Sequence, residues 1–303
     1  MSEPIAYLKG EFVPASQCTL PVFDLGIVMG AAVTDLARTF HQKAYRLEDH
    51  VRRFYQSCKY ARIAPPVTIE ESISISEKLL ENNSQQYPNS ELTLVFYMSA
   101  GEHAVYAGSA GIPEEMKPTY LQHTFPLRSD LWKVSFTEGM HCVTPTARHT
   151  PPQCLSSKIK HRNRLHMWIG QQEAQLVDPK AMPLFLDVNG NITETAGSNF
   201  VIYRNGQVVS PRRGNVLWGI SLVVLEELLD SMGVPFVEQD LQTYDVLNAE
   251  EAWMPSTPYC LAPVVRFNGL PIGDGVPGPM WRNLISRWSD LVGKDIYQEF
   301  TGA

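Results

Sequence analysis

No run of apolar residues in this chain approaches the roughly 20 that a helix needs to cross a bilayer, so no membrane-spanning segment is expected. The opening MSEPIAYLKG lacks a basic stretch, an apolar stretch and a small-residue cleavage site, which argues against a secretory signal and for a cytoplasmic protein. Five cysteines (Cys18, Cys58, Cys142, Cys154, Cys260) are odd in number and contain no C-x-x-C pair, against both a disulfide framework and a thiolate zinc site. His141, His149, His161 and His166 show no H-x-x-x-H spacing, so no catalytic metal is expected. Positive charge is also short: a net charge of −7 repels a phosphate backbone and excludes a nucleic-acid partner. Internal repeats and low-complexity segments are absent.

What is present is the composition of a globular protein, 44% hydrophobic and 19% charged, and 303 residues are long for one core, so two domains are expected. Residues 5–13 read as a hairpin around Lys9-Gly10, and Gly26 and Gly30 as tight turns before a strand at 33–40. Apolar spacing near 3.6 predicts a helix over 47–63, ended by Pro65-Pro66, and a second over 68–81; residues 92–100 read as a strand. Around LQHTFPLRSDLWKV the periodicity breaks, which places a small α/β domain at 1–122, a connecting loop at 123–132 and a larger domain at 133–303. Beyond it, Asn-Gly pairs at 189–190, 205–206 and 268–269 stand between strand-like runs and predict three type I′ hairpins. Helices are expected at about 161–174, 220–232 and 279–292, giving a mixed sheet with helices in an α/β (α+β) fold.

The chemistry is carried by a lysine and a carboxylate. Lys160 lies in IKHRNR and Glu194 in ITETAGSNF, and an imine-forming amine followed by an acid able to pair with a ring nitrogen is what a pyridoxal phosphate enzyme requires. Lys160 reads as the start of a helix, whose positive N-terminus, with the neighbouring cations, would favour the neutral amine; a solvated basic face is the plain alternative. Glu194, taken alone, is equally a surface glutamate beside a turn. In LWGIS, Ile220 and Ser221 fall in the first turn of a helix, where unpaired backbone N–H groups suit a phosphate, though an ordinary N-cap also explains the serine. MPST places Ser256 and Thr257 at a strand end, compatible with phosphate or with a turn. GDGVPG (273–278) matches a dinucleotide fingerprint, but Pro277 interrupts it and no acidic ribose partner follows, so it reads as a loop before the last helix.

Taken together, LEDHVRRFYQS, IKHRNR, ITETAGSNF, LWGIS, MPST and the GDGVPGP loop, in that order, resemble the class IV (fold-type IV) pyridoxal phosphate enzymes. That group includes branched-chain and D-amino acid aminotransferases and aminodeoxychorismate lyase. The resemblance implies Lys160 as the Schiff-base lysine, with Lys158 the competitor, Glu194 on the pyridine nitrogen, and Arg53 on the phosphate with Ile220, Ser221 and Thr257. It also implies a smaller α/β N-terminal domain, a larger pseudo-barrel C-terminal domain with the cofactor in the cleft between them, and a homodimer. The expected activity is an aminotransferase moving an amino group between an amino acid or amine and a 2-oxo acid, with a branched-chain-like substrate.

Departures bear on the substrate. Branched-chain enzymes show an N-Y pair after the lysine and an aromatic before their early acidic residue, where this chain has Asn163-Arg164 and Thr34-Asp35. The arginine pairing resembles the lyase, and the R-x-H trap of D-amino acid enzymes is not evident in YMSAGEHAVYAG. Lyase, D-amino acid or (R)-amine transaminase, and a silent binding protein therefore stand as alternatives. Arg38, His103 and Arg164 are the cations expected to bind the substrate carboxylate.

Overall fold

The computed structural model describes residues 3–111 and 115–302. Backbone contacts divide the chain into two units, Met1–Leu127 with Ile159–Asn163, and Arg128–Lys158 with Arg164–Ala303. Among the described residues no helix is long and apolar enough to cross a membrane.

The first unit opens with β1 (Ile5–Leu8) and β2 (Glu11–Pro14), joined through Lys9 and Gly10, both at positive φ. A short α1 (Leu25–Val28) leads into β3 (Ala32–Phe40) and the brief β4 (Lys43–Ala44). Then come α2 (Leu47–Ala61), α3 (Ile69–Ser84), β5 (Leu92–Ser99), α4 (Ala104–Ala107) and β6 (Thr119–Pro126). The strands form one antiparallel sheet in the order β2-β1-β6-β5-β3-β4. Helices α2 and α3 cover one of its faces: Phe54 of α2 packs on Phe96 and Tyr120, with ring centroids 5.7 and 6.1 Å apart. Ser72 and Ser76 of α3 hydrogen-bond Tyr120 and Gln122 on the same face. Helix α2 stops at Ala61, ahead of the prolines, because Arg62 enters the left-handed region at φ 57° and its N–H caps the carbonyls of Cys58 and Lys59.

The lysine segment does not begin a helix. His161 bridges Val33 of β3 in antiparallel fashion, and the next helix starts only at Leu165. The cause is the short β4, which pairs only with Thr39 and Phe40 and leaves the other end of the β3 edge needing partners. Residues 160–162 supply them: the Thr34 N–H donates to the Lys160 carbonyl at 2.9 Å and the Arg162 N–H to the Ala32 carbonyl at 3.0 Å.

The second unit contains α5 (Lys133–Thr137), β7 (Met140–Val143), α6 (Leu165–Val177), β8 (Met182–Leu186), β9 (Ile192–Thr195), β10 (Val201–Arg204) and β11 (Gln207–Ser210). It continues with α7 (Ile220–Ser231), β12 (Phe236–Glu238), α8 (Thr243–Leu247), β13 (Glu251–Ser256), β14 (Cys260–Phe267), β15 (Leu270–Pro271), α9 (Pro279–Val292) and α10 (Ile296–Thr301). The sheet order is β12-β11-β10-β13-β14-β7-β8-β9, with β15 folded back on β14; β11/β12, β14/β7 and β7/β8 are parallel and the rest antiparallel. Helix α7 packs on β13, α9 on β13 and β14, and α6 on β8.

Two of the three Asn-Gly pairs form type I′ turns, Asn205-Gly206 (φ 52° and 76°) and Asn268-Gly269 (φ 48° and 83°). The third differs, because only Gly190 has positive φ. There the Asp187 carboxylate takes over, accepting the N–H groups of Asn189 and Asn191, each at 2.8 Å, and drawing the β8–β9 connection into a longer loop. The GDGVPG segment is a loop, as expected, although α10 follows α9. Its Gly278 lets the Glu251 carboxylate reach the start of α9, where it accepts from the N–H groups of Met280 (2.9 Å) and Trp281 (3.0 Å).

Candidate active site

On the first unit, Lys160 and Arg53 are brought into one cluster by α2. The Lys160 N–H donates to Ser57 Oγ at 3.2 Å, and the Ser57 hydroxyl donates to the Arg53 carbonyl one turn earlier. With its carbonyl held by Thr34, the lysine backbone is fixed on both sides. Arg53 forks onto Asp35, its Nε donating to Oδ2 and its Nη2 to Oδ1, each at 2.8 Å. His50, three residues before Arg53 and so on the same helix face, shares Asp35 Oδ1 through Nδ1 at 2.8 Å. Asp35 and His50 are both buried.

Burial alone would raise the Asp35 carboxyl. The Arg53 charge and hydrogen bonds from His50 and Arg53 outweigh it and hold the group well below the usual carboxylate range. His50 is lowered, first by burial and further by the charges of Arg53 and Lys160, although Asp35 pulls the other way. A neutral imidazole donating Nδ1–H to a carboxylate follows, and that carboxylate in turn orients a guanidinium.

On the second unit, Glu194 lies within β9 and is buried. Its Oε1 accepts from the Leu217 N–H at 3.3 Å and stands 3.1 Å from His149 Nε2, while Oε2 faces Asn199 Nδ2 at 3.5 Å. Asn199 ties this carboxylate to the entry of α7: its Nδ2 donates to the Leu217 carbonyl at 2.6 Å and its Oδ1 accepts from the Gly219 N–H at 3.1 Å. That approach requires glycine, since a Cβ at position 219 would stand 2.3 Å from Asn199 Oδ1. Among the described residues no side chain caps α7, so the first-turn N–H groups of Ile220 and Ser221 are presented by a 12-residue helix. Thr257 follows directly after β13, and its hydroxyl makes no hydrogen bond among the described residues, whereas the Ser256 hydroxyl donates to the Gly197 carbonyl at 2.9 Å.

His166 Nε2 is buried and has no hydrogen-bond partner among the described residues, its ring edge-on to His149 with centroids 6.0 Å apart. Burial lowers its pKa, the charges of His149 and Arg164 add to this, and Glu194 opposes it.

The three expected substrate cations fall in different places. Arg38 is buried in β3, with Nε donating to the Thr39 carbonyl at 3.1 Å and the guanidinium 4.0 Å from the Phe40 ring centroid. His103 caps α4, its Nδ1 accepting from the Val105 N–H at 3.3 Å. Arg164 immediately precedes α6 on the second unit. Asp35, His50, Ser57, His149 and Asn199 were not among the expected site residues.

A class IV amino-transferase family model matches residues 32–267. The chain belongs to the class IV aminotransferases. It is 26% identical over 286 residues to a protein of Methanocaldococcus jannaschii assigned as a branched-chain-amino-acid aminotransferase, covering 94% of this chain and 95% of the relative. A D-alanine aminotransferase of Staphylococcus aureus is 25% identical over 279 residues, 92% and 94% of the two chains. In fold the chain matches the T.th. branched-chain amino acid aminotransferase crystallised with pyridoxamine 5′-phosphate, with a TM-score of 0.84, 21% identity and 100% and 98% of the chains covered. This is the fold-type IV architecture, and the cofactor of the family is pyridoxal 5′-phosphate.

The donor sets suit that group. An amine and an oriented guanidinium stand on the first unit; a buried carboxylate and an uncapped helix start stand on the second.

Proposed function

We propose that this class IV aminotransferase moves the amino group of an aliphatic, branched-chain-like L-amino acid to a 2-oxo acid, with Lys160 as its catalytic residue. In this reading Arg53, Ile220, Ser221 and Thr257 take the cofactor phosphate, Glu194 takes the ring nitrogen, and the chain acts as a cytoplasmic homodimer. The observation that carries the reading is the buried Glu194 carboxylate, wired through Asn199 to the uncapped start of α7, which offers a ring-nitrogen partner and a phosphate cradle on one rigid connection. The likeness to the M. jannaschii relative supports the substrate class.

When bound, pyridoxal phosphate supplies an electron sink for the pair released at the substrate α-carbon. The chain's own residues do the rest. The Lys160 amine, its backbone fixed by Ser57 and Thr34, serves as base and then acid in moving the proton away from the α-carbon. Glu194, kept in place by the Leu217 N–H and Asn199, stabilises positive charge on its partner. The Asp35 brace holds Arg53 in one orientation toward an anion.

Mixing the purified protein with L-leucine should abolish the visible absorption of the lysine-bound cofactor, and a 2-oxo acid should restore it. Failure of every L-amino acid to do so removes this substrate assignment. Because D-alanine aminotransferases are relatives of nearly equal identity, the same screen includes D-alanine, and conversion by D-alanine alone would establish the D-specific reading. Borohydride treatment should fix the cofactor to the peptide carrying Lys160; label on Lys158 would move the catalytic assignment.

A further inference from the structure

The Glu194 carboxylate is loaded unevenly. Its Oε1 accepts the Leu217 N–H at 3.3 Å and lies 3.1 Å from His149 Nε2, whereas Oε2 has only Asn199 Nδ2, at the long distance of 3.5 Å, among the described residues. An oxygen that already accepts the Leu217 N–H meets His149 as an acceptor too, so the imidazole hydrogen sits on Nε2. A carboxylate offers about four lone-pair sites, two on each oxygen. Oε1 is therefore filled, and Oε2 keeps room for a strong donor.

His149 sustains this arrangement from a separate piece of scaffold. Its backbone N–H donates to the Leu186 carbonyl at 2.9 Å, which fixes it to the end of β8, while Glu194 belongs to β9 and Leu217 to the approach to α7. Helix α6 bounds the ring on another side. It meets β8 at Gly170, where a Cβ would collide with the Phe185 ring, and one turn earlier His166 stands edge-on to both His149 and Phe185, with centroids 6.0 and 6.1 Å apart. Burial disfavours the charged form of His166, and its Nε2 makes no hydrogen bond among the described residues, so it walls in the His149 ring without competing for Glu194.

We infer that His149 is a positioning residue: by occupying Oε1 it holds the Glu194 carboxylate with Oε2 turned to the ring nitrogen of the cofactor. The inference rests on the reading of Glu194 as the partner of that nitrogen, and adds to it how the carboxylate is aimed. The terminal torsion of a glutamate is broad when nothing anchors it. Two donors on Oε1, from Leu217 and His149, fix it before the cofactor arrives, so that binding does not have to order the side chain.

The test loads the full chain with either of two cofactors, pyridoxal phosphate or its deaza analogue, whose ring carries C–H in place of the nitrogen, and measures the Kd of each by fluorescence. Lysine and phosphate contacts are common to both, so the ratio of the two values reports the carboxylate contact. A hydrogen bond to a charged group should make the wild type prefer pyridoxal phosphate by about 10- to 100-fold. His149→Leu and His149→Phe both remove the donor but differ in shape. In whichever of them keeps the wild-type far-ultraviolet circular dichroism, the preference should fall about tenfold, through weaker binding of pyridoxal phosphate and not of the deaza form. His149→Gln, which can put an amide N–H where the imidazole has one, should return the preference to within about threefold of the wild type. An unchanged preference in the donor-free variants, an equal loss for both cofactors, or a loss in His149→Gln as large as in those variants would each overturn the inference. Absence of any preference in the wild type would instead remove Glu194 from the ring nitrogen, and the inference with it.

Discussion

Asp35→Asn keeps the shape of the side chain and removes its charge. In the structure this carboxylate is buried, takes two hydrogen bonds from Arg53 and one from His50, and faces a guanidinium whose side chain is only 11% exposed. Leaving one member of a buried ion pair without its counter-charge costs about 3–5 kcal/mol. At roughly 2–4 °C per kcal/mol for chains of 150–250 residues, thermal unfolding should begin some 6–20 °C lower. Cofactor affinity should fall too, because Asp35 fixes the plane of the Arg53 fork through both Nε and Nη2. The double variant Asp35→Leu/Arg53→Met separates these effects: two apolar side chains of similar volume remove both charges and should recover much of the lost Tm, yet the cofactor should still dissociate readily on dialysis. A Tm loss under about 3 °C for Asp35→Asn would refute the argument, as would wild-type cofactor retention by the double variant.

Gly219→Ala should weaken cofactor binding, because its Cβ would press on Asn199 Oδ1 at 2.3 Å, whereas Gly214→Ala, with open space around it, should bind like the wild type; equal behaviour of the two would exclude the Asn199 linkage. Asn199→Ala should cost about 1–3 kcal/mol in thermal stability by stranding the Leu217 carbonyl and the Gly219 N–H, with a matching rise in the cofactor Kd measured by fluorescence. His50, His123 and His166 are all lowered below 6.5 by burial first, so the unfolded chain binds more protons and stability should be lost as pH falls from about 6.5. Asp35 adds a second loss below its ordinary value of 3.8. A Tm at pH 5.5 equal to or above that at pH 7.5 would contradict this.

The sheets and helices were legible because their signals are local: period 3.6 over 47–63, β-branched and aromatic runs in β5 and β14, and Asn-Gly at two type I′ turns. The Asp187 loop was not, because a side chain four residues away decides its backbone, and dipeptide preference does not register that competition. Glu194 and the α7 start stood out as separate features. What joins them, Asn199, lies in a stretch read only for its small residues, and an asparagine has no sequence signal until its two backbone partners are known.

The largest misreading concerns Lys160, and it bears directly on chemistry. Five cations in seven residues (Lys158, Lys160, His161, Arg162, Arg164) suggest one basic face when wound as a helix, and a helix would turn Arg162 about 200° away from Lys160. The β3 edge pulls the segment straight instead: the Lys160 carbonyl accepts from the Thr34 N–H, the Arg162 N–H donates to the Ala32 carbonyl, and His161 lies opposite Val33. The same residues thus change from a solvated patch into an edge segment that fixes the lysine backbone between Thr34 and Ser57. Inserting one glycine between His161 and Arg162, which breaks the Arg162–Ala32 hydrogen bond, should lower the yield of borohydride labelling at Lys160, and wild-type labelling would show that the β3 edge does not place the lysine.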